Sequence, residues 1–249
     1  MKKIKTSLSS GSPQIGTWIS IPSVINVDVI SSTPIDFLIF DREHGPTSLE
    51  AVQEMVIAAK SRGKPSIIRP NSFTESEILN VLDLGPDGIQ ISNVQTENEV
   101  KKIREFIYYP PLGNRGFSPF NRSNNYSRSK REPFEKVNSN LLLILNVEGK
   151  TGIENLEVIC SAAPKKRVIF IGAYDLSKSL GVPGEVESKI VKTYLTEASK
   201  IIKSYSLFPG TIASSKKQLK ELMKSGFLYL PYLADTEMLY NSYEEIFKK

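Results

Sequence analysis

The sequence predicts a single (β/α)8 barrel, the TIM-barrel fold of the α/β class. Three observations carry this. Short apolar, β-branched runs recur, each followed by a turn and a segment of helical period. There are eight such strand-plus-helix units, and strict alternation means a parallel sheet. The chain is 249 residues long, the size of one barrel of about 250 residues. An open doubly wound sheet competes, but it normally announces itself with a Gly-rich phosphate turn after its first strand, and none is present.

The first strand is read at Ile15–Ile21, with a helical piece over Ser23–Ser31. The second is Asp36–Phe40. Thr47 or Ser48 then caps a helix with Leu49, Val52, Val56 and Ala59 on one face. The third is Pro65–Arg69, and its helix (Ile78, Leu79, Leu82) stops at Gly85. The fourth is Gly88–Ser92, followed by a helix presenting Val100, Ile103 and Ile107. From Pro110 to about Ser139 no periodicity is visible. A loop that long is either functional or a sign of a wrong assignment. The fifth strand is Leu141–Val147, with a helix around Ile153–Cys160. The sixth is Val168–Gly172, and a long helix covers Glu187–Lys203. The seventh is Phe208–Ile212, with a helix showing Leu219, Leu222 and Met223. The eighth is Phe227–Leu230, and a closing helix begins at Asp235. Residues 1–249 thus read as one domain.

Composition narrows the function. Hydrophobic residues make up 40%, enough for one core. No apolar stretch approaches the roughly 18 residues of a membrane span. The basic N-terminus lacks an apolar stretch behind it, so no signal peptide is read. Cys160 is the only cysteine, which fits a reducing compartment, and a cytoplasmic location is expected. The net charge of +5 suits anionic substrates. Its densest basic cluster, Arg122, Arg128, Lys130 and Arg131, has one nearby aromatic, Tyr126, and no nucleic-acid motif. Neither a nucleic-acid nor a membrane partner is expected.

In a barrel the chemistry sits where strands end. The second strand runs into Asp41-Arg42-Glu43-His44-Gly45-Pro46, which holds the only histidine. An imidazole held by a neighbouring carboxylate is a good general base near neutral pH; a lone histidine is otherwise more often structural. Arg69 ends the third strand, either as a rim ion-pair partner or as a guanidinium aimed at an oxyanion. Glu148 follows the fifth strand and Asp175 the sixth. Two carboxylates at adjacent strand ends can share one hard cation, Mg2+ or Mn2+, leaving positions open for water and substrate. Helix capping by Asp175 is the rival. Gly172-Ala173-Tyr174-Asp175 offers backbone N–H groups to a carboxylate. Trp18 either packs inside the barrel or lines the site, and Cys160 reads as a core thiol.

Five segments in order resemble the HpcH/HpaI aldolase family, the metal-dependent class II pyruvate aldolases of the pyruvate- and phosphoenolpyruvate-binding barrels. They are Phe40–Pro46, Ile68–Pro70, Tyr109–Gly116, Val147-Glu148 and Ile171–Ser177, within a likeness running from Gly16 to Leu239. The resemblance implies an aldolase that cleaves or forms a 4-hydroxy-2-oxo acid, from pyruvate and an aldehyde, through a metal-stabilised enolate. It implies Glu148 and Asp175 as ligands of a divalent metal (Mg2+ or Mn2+, with Co2+ a further candidate) and His44, oriented by Asp41, as base. Arg69 would stabilise the enolate, and the Gly172–Asp175 turn would hold the pyruvyl carboxylate. It also implies a loop around Arg115-Gly116-Phe117 over the active site, and a homo-oligomer, a hexamer with the last helix swapped between subunits. Asn146 stands where the family often has Gln, and Ala173 where it often has Pro. The rival functions are a CoA-ester lyase of the citrate or malyl-CoA type and a non-catalytic barrel with a binding role.

Overall fold

A computed structural model describes residues 4–248. Eight parallel strands close into a barrel in sequence order. They are β1 (Gln14–Ile19), β2 (Phe37–Asp41), β3 (Ser66–Arg69), β4 (Gly88–Ile91), β5 (Leu142–Val147), β6 (Val168–Ile171), β7 (Phe208–Thr211) and β8 (Tyr229–Ala234). The TIM-barrel expectation is met.

Helices fill the connections: α1 (Ile4–Ser9), α2 (Val24–Ser31), α3 (Leu49–Ser61), α4 (Glu75–Asp83), α5 (Glu97–Ile107) and α6 (Phe134–Asn140) in the first half. The second half holds α7 (Gly149–Glu154), α8 (Leu156–Ala162), α9 (Ala173–Ser179), α10 (Lys189–Ser204), α11 (Lys216–Lys224) and α12 (Asp235–Phe247). Local chemistry starts several of them. Ser48, Thr74 and Ser215 each accept a backbone N–H of the first turn, and Thr96 forms a capping box with Glu99.

Two apolar layers result. The strands' inner faces fill the barrel with Trp18, Phe37, Ile39, Ile67, Phe170 and Tyr229, among others. Their outer faces meet the helices in the larger core, where Cys160 is buried as expected. The interior also holds a polar chain. The Tyr229 hydroxyl donates to Gln90 Oε1 (3.0 Å), and Gln90 Nε2 donates to Asn146 Oδ1 (2.8 Å).

Two expectations need correcting. The eighth strand begins at Tyr229 and continues through Pro231 to Ala234. The 110–139 segment does not lie over the active site of its own barrel. It leaves the C-terminal end of α5 and enters the N-terminal end of β5, so it crosses the face opposite the strand ends. It is ordered there by a 3-10 turn (Arg122–Asn124) and α6. Arg115 ties it to Asp83, at the end of α4, at 2.9 Å, and Phe134 stacks on Tyr109 at 4.3 Å.

Candidate active site

At the C-terminal end of the barrel lies an open cavity of about 520 Å³. It gathers the predicted residues from separate strand ends: Trp18 from β1, Asp41 and His44 from the end of β2, Arg69 from β3, Asn146 and Glu148 from β5, and Gly172 through Asp175 after β6.

Parallel register sets Asp41 directly opposite Arg69, and the two form a bidentate pair. Arg69 Nε donates to Asp41 Oδ1 at 2.8 Å and Nη2 to Oδ2 at 2.6 Å. Nη1 lies 2.9 Å from Glu43 Oε2. The guanidinium also stacks 4.2 Å from the Trp18 ring centroid. Trp18 therefore both packs, edge-on to Phe170, and lines the site. Three of the five N–H groups of Arg69 are engaged, which fixes its plane and leaves two free for an oxyanion.

This geometry corrects the expected Asp41–His44 pairing. The Asp41 carboxylate is taken by Arg69 and by the backbone N–H groups of Glu43 (3.0 Å) and His44 (3.3 Å). The His44 ring is 76% exposed at the cavity mouth, and the carboxylate beside it is Glu43, 3.8 Å from Nε2. Charge-assisted bidentate pairing outcompetes a single bond to imidazole. Glu43, one of the two carboxylates that the sequence places just before His44, thus touches Arg69, His44 and the Ser92 hydroxyl (2.6 Å). Its signal was available: a carboxylate two residues past a strand end, beside the only histidine.

Glu148 depends on two backbone features. Gly172 lets it approach, because a Cβ there would meet Glu148 Oε2 at 2.8 Å. Asn93 adopts a left-handed backbone (φ 54°) and donates its N–H to Glu148 Oε1 at 2.7 Å. Burial pushes the Glu148 carboxyl up to about 7; the Asn93 N–H opposes this, and Glu43 and Asp175 add like-charge repulsion. A cation would relieve that repulsion. Among the described residues no three of His, Cys, Asp and Glu converge as a ready-made metal cage. The donors present are hard carboxylate oxygens, which suit a cation that keeps water and substrate oxygens as its remaining ligands.

A family model described as HpcH/HpaI aldolase/citrate lyase matches residues 14–240. This chain belongs to the HpcH/HpaI aldolase/citrate lyase family. It is accordingly a carbon–carbon lyase. A 4-hydroxy-2-oxo-heptane-1,7-dioate aldolase from Shigella flexneri is 26% identical, over 97% of this chain and 90% of its own. A hydroxypyruvate/pyruvate aldolase from Roseobacter denitrificans is 27% identical, over 100% and 97%. The crystal structure of an HpcH/HpaI family protein from Burkholderia cenocepacia shares the fold, with a TM-score of 0.91 at 21% identity over 100% of this chain and 98% of that one.

Against the family pattern, Asn146 is 1% exposed, and its Oδ1 accepts from Gln90. Gly172 caps α9, whose first turn brings Ala173, Tyr174 and Asp175 to the cavity wall.

Proposed function

We propose that this HpcH/HpaI family member is a divalent-metal-dependent aldolase that cleaves or forms 4-hydroxy-2-oxo acids, joining pyruvate to an aldehyde. The observation that carries this is a clamped guanidinium, Arg69, sharing one cavity with Glu148 and Asp175. Glu148 and Asp175 would hold Mg2+ or Mn2+, with Co2+ a further candidate; when bound, the cation supplies Lewis acidity toward the 2-oxo oxygen.

The chain's own groups do the rest. The first-turn N–H groups of α9, which lack intrahelical acceptors, bind the substrate carboxylate. His44, at the mouth, accepts the proton of the C4 hydroxyl. The C3–C4 bond then breaks, the aldehyde leaves, and the electron pair passes to C3 and the C2 oxygen. Arg69 faces that developing negative charge with its two unengaged N–H groups. Protonation at C3 completes pyruvate, and synthesis reverses the sequence.

The cavity also carries apolar groups, Trp18, Phe170, Ile212 and Ala234. Arg69 is the only Lys or Arg lining the cavity among the described residues, and its charge is paired with Asp41 and Glu43. An acceptor with a second carboxylate, like that in the heptane-1,7-dioate named for the Shigella relative, finds no further Lys or Arg among the described residues that line the cavity. Uncharged aldehydes are the better fit.

A homo-oligomer accords with α12, which exposes Leu239, Tyr240, Tyr243, Ile246 and Phe247. A cytoplasmic location accords with the single buried, unpaired Cys160; no described helix is long and apolar enough to cross a membrane.

The deciding experiment is pyruvate release from a panel of 4-hydroxy-2-oxo acids, with Mg2+ or Mn2+ and then EDTA. Metal-dependent release is expected. Folded, metal-loaded protein that releases none, yet cleaves an acyl-CoA ester, would turn the reading to a CoA-ester lyase.

A further inference from the structure

At the opposite face of the barrel a second cavity, of about 310 Å³, lies between α1, the end of α3, the turn before β4 and the long connection into β5. The aldolase reading makes no use of it. Four cations line it: Lys5, Lys60, Arg115 and Arg122. Only two carboxylates do, and both are engaged. Asp87 accepts from the Ser66 N–H (3.0 Å) and hydroxyl (3.2 Å), and Glu132 pairs with Lys136 at 2.6 Å.

The lysines are satisfied by main-chain oxygens, Lys5 by Ser139 (2.6 Å) and Lys60 by Gly85 (2.5 Å). Arg115 is met only in part and, among the described residues, Arg122 not at all. The Arg115 side chain is 2% exposed; Nη2 reaches Asp83 at 2.9 Å and Ser123 Oγ at 3.4 Å, while Nε is buried with no acceptor. Arg122 makes no side-chain hydrogen bond or ion pair among the described residues, and its Nε is likewise buried without an acceptor. Folded proteins seldom leave charged donors unmet in this way. Burial, with repulsion from Arg167 and Lys166, pushes the Lys5 ammonium down to about 8.

We propose that this cavity binds a small phosphate-bearing anion, at a site separate from the active site. Guanidinium forks pair with phosphate oxygens through charge-assisted bonds. A tetrahedral group presents acceptors in several directions at once, which suits donors arriving from α3 and from two points of the long connection. The space exceeds that of a bare phosphate and admits a small phosphate ester.

The test uses the full chain stripped of metal by EDTA, so that phosphate has no cation to join at the active site. Inorganic phosphate and glycerol 3-phosphate are titrated by calorimetry at constant ionic strength, with chloride as control. Saturable binding and a raised Tm are expected. Arg122→Ala, which removes no ion pair, should weaken binding about tenfold or more, as should Lys60→Gln. Both variants should keep their circular dichroism and aldol cleavage, and Glu148→Gln should bind phosphate as the wild type does. Tighter binding of the ester marks a phosphorylated metabolite as the source; equal binding marks free phosphate. Heat no larger than that of chloride, or binding unweakened in both cavity variants, overturns the proposal.

Discussion

At the scale of single residues, Arg69 is the most constrained group in the candidate active site. Arg69→Lys keeps the charge but loses the fork on Asp41 and the stack on Trp18. The expected outcome is a fall of about 100- to 1,000-fold in kcat for pyruvate release, with the fold retained by circular dichroism. His44→Ala, at an exposed position, should slow turnover by roughly 100- to 10,000-fold; unchanged kcat would remove its role as base. Glu148 couples chemistry to stability. Its folded carboxyl holds a proton up to about 7, above the usual 4.5. Without a cation, its ionised form therefore disfavours the folded state fully above about pH 7, and the cost fades as pH falls toward the unfolded value. Glu148→Gln should stabilise the metal-free protein at about pH 8 by on the order of 1–2 kcal/mol, gain nothing below about pH 4.5, and show no metal binding or turnover. Equal stabilisation at both pH values would refute the cause given. The types and positions of these residues were legible in the sequence, because polar residues ending apolar strands stand out. Their pairing was not. Asp41 is three residues from His44 but faces Arg69 across a ladder, and register belongs to the folded sheet.

At the scale of elements, most strands were readable because they are runs of Val, Ile, Leu or Phe with both faces covered; β1 and β7, with Gly16, Pro209 and Gly210, are less regular. Pro231 lies inside β8 although proline lacks the ladder N–H. β8 tolerates it at an irregular point: its regular ladder to β7 is a single register pair at Gly210 and Tyr229, its register to β1 shifts between Gly16 and Trp18, and the Pro231 carbonyl still accepts from Ala213 at 2.9 Å. The short helices α1, α6 and α9 hold too few residues to show a period; of α9 the sequence offers only Asp175 as a cap, and the cap is Gly172. The β4–β5 contact carries a prediction of its own. A Cβ on Gly88 would lie 2.6 Å from Ile67 Cδ1 and 2.7 Å from the Leu142 carbonyl. Gly88→Ala should cost about 1–3 kcal/mol in urea unfolding; a neutral result would mean that the two strands part freely.

At the scale of the whole molecule, eight alternating units were enough to fix the barrel. The face crossed by the 110–139 segment follows from topology alone, because a helix-to-strand connection returns to the strands' beginnings. What one chain's sequence does not reveal is who covers α12. If copies of this chain do, Ile246→Glu with Phe247→Glu should shift light-scattering mass to a smaller species, with barrel secondary structure retained. An unchanged mass would separate α12 from assembly. The polar chain through the barrel has a spectroscopic consequence. Tyr229 is one of ten tyrosines, it is wholly buried, and burial pushes its phenol well above the usual 10. After a jump to about pH 12, exposed phenols ionise at once, whereas Tyr229, together with the buried Tyr108, has to wait for the fold to open. The last rise in phenolate absorbance therefore times global unfolding from inside the molecule, without an added label.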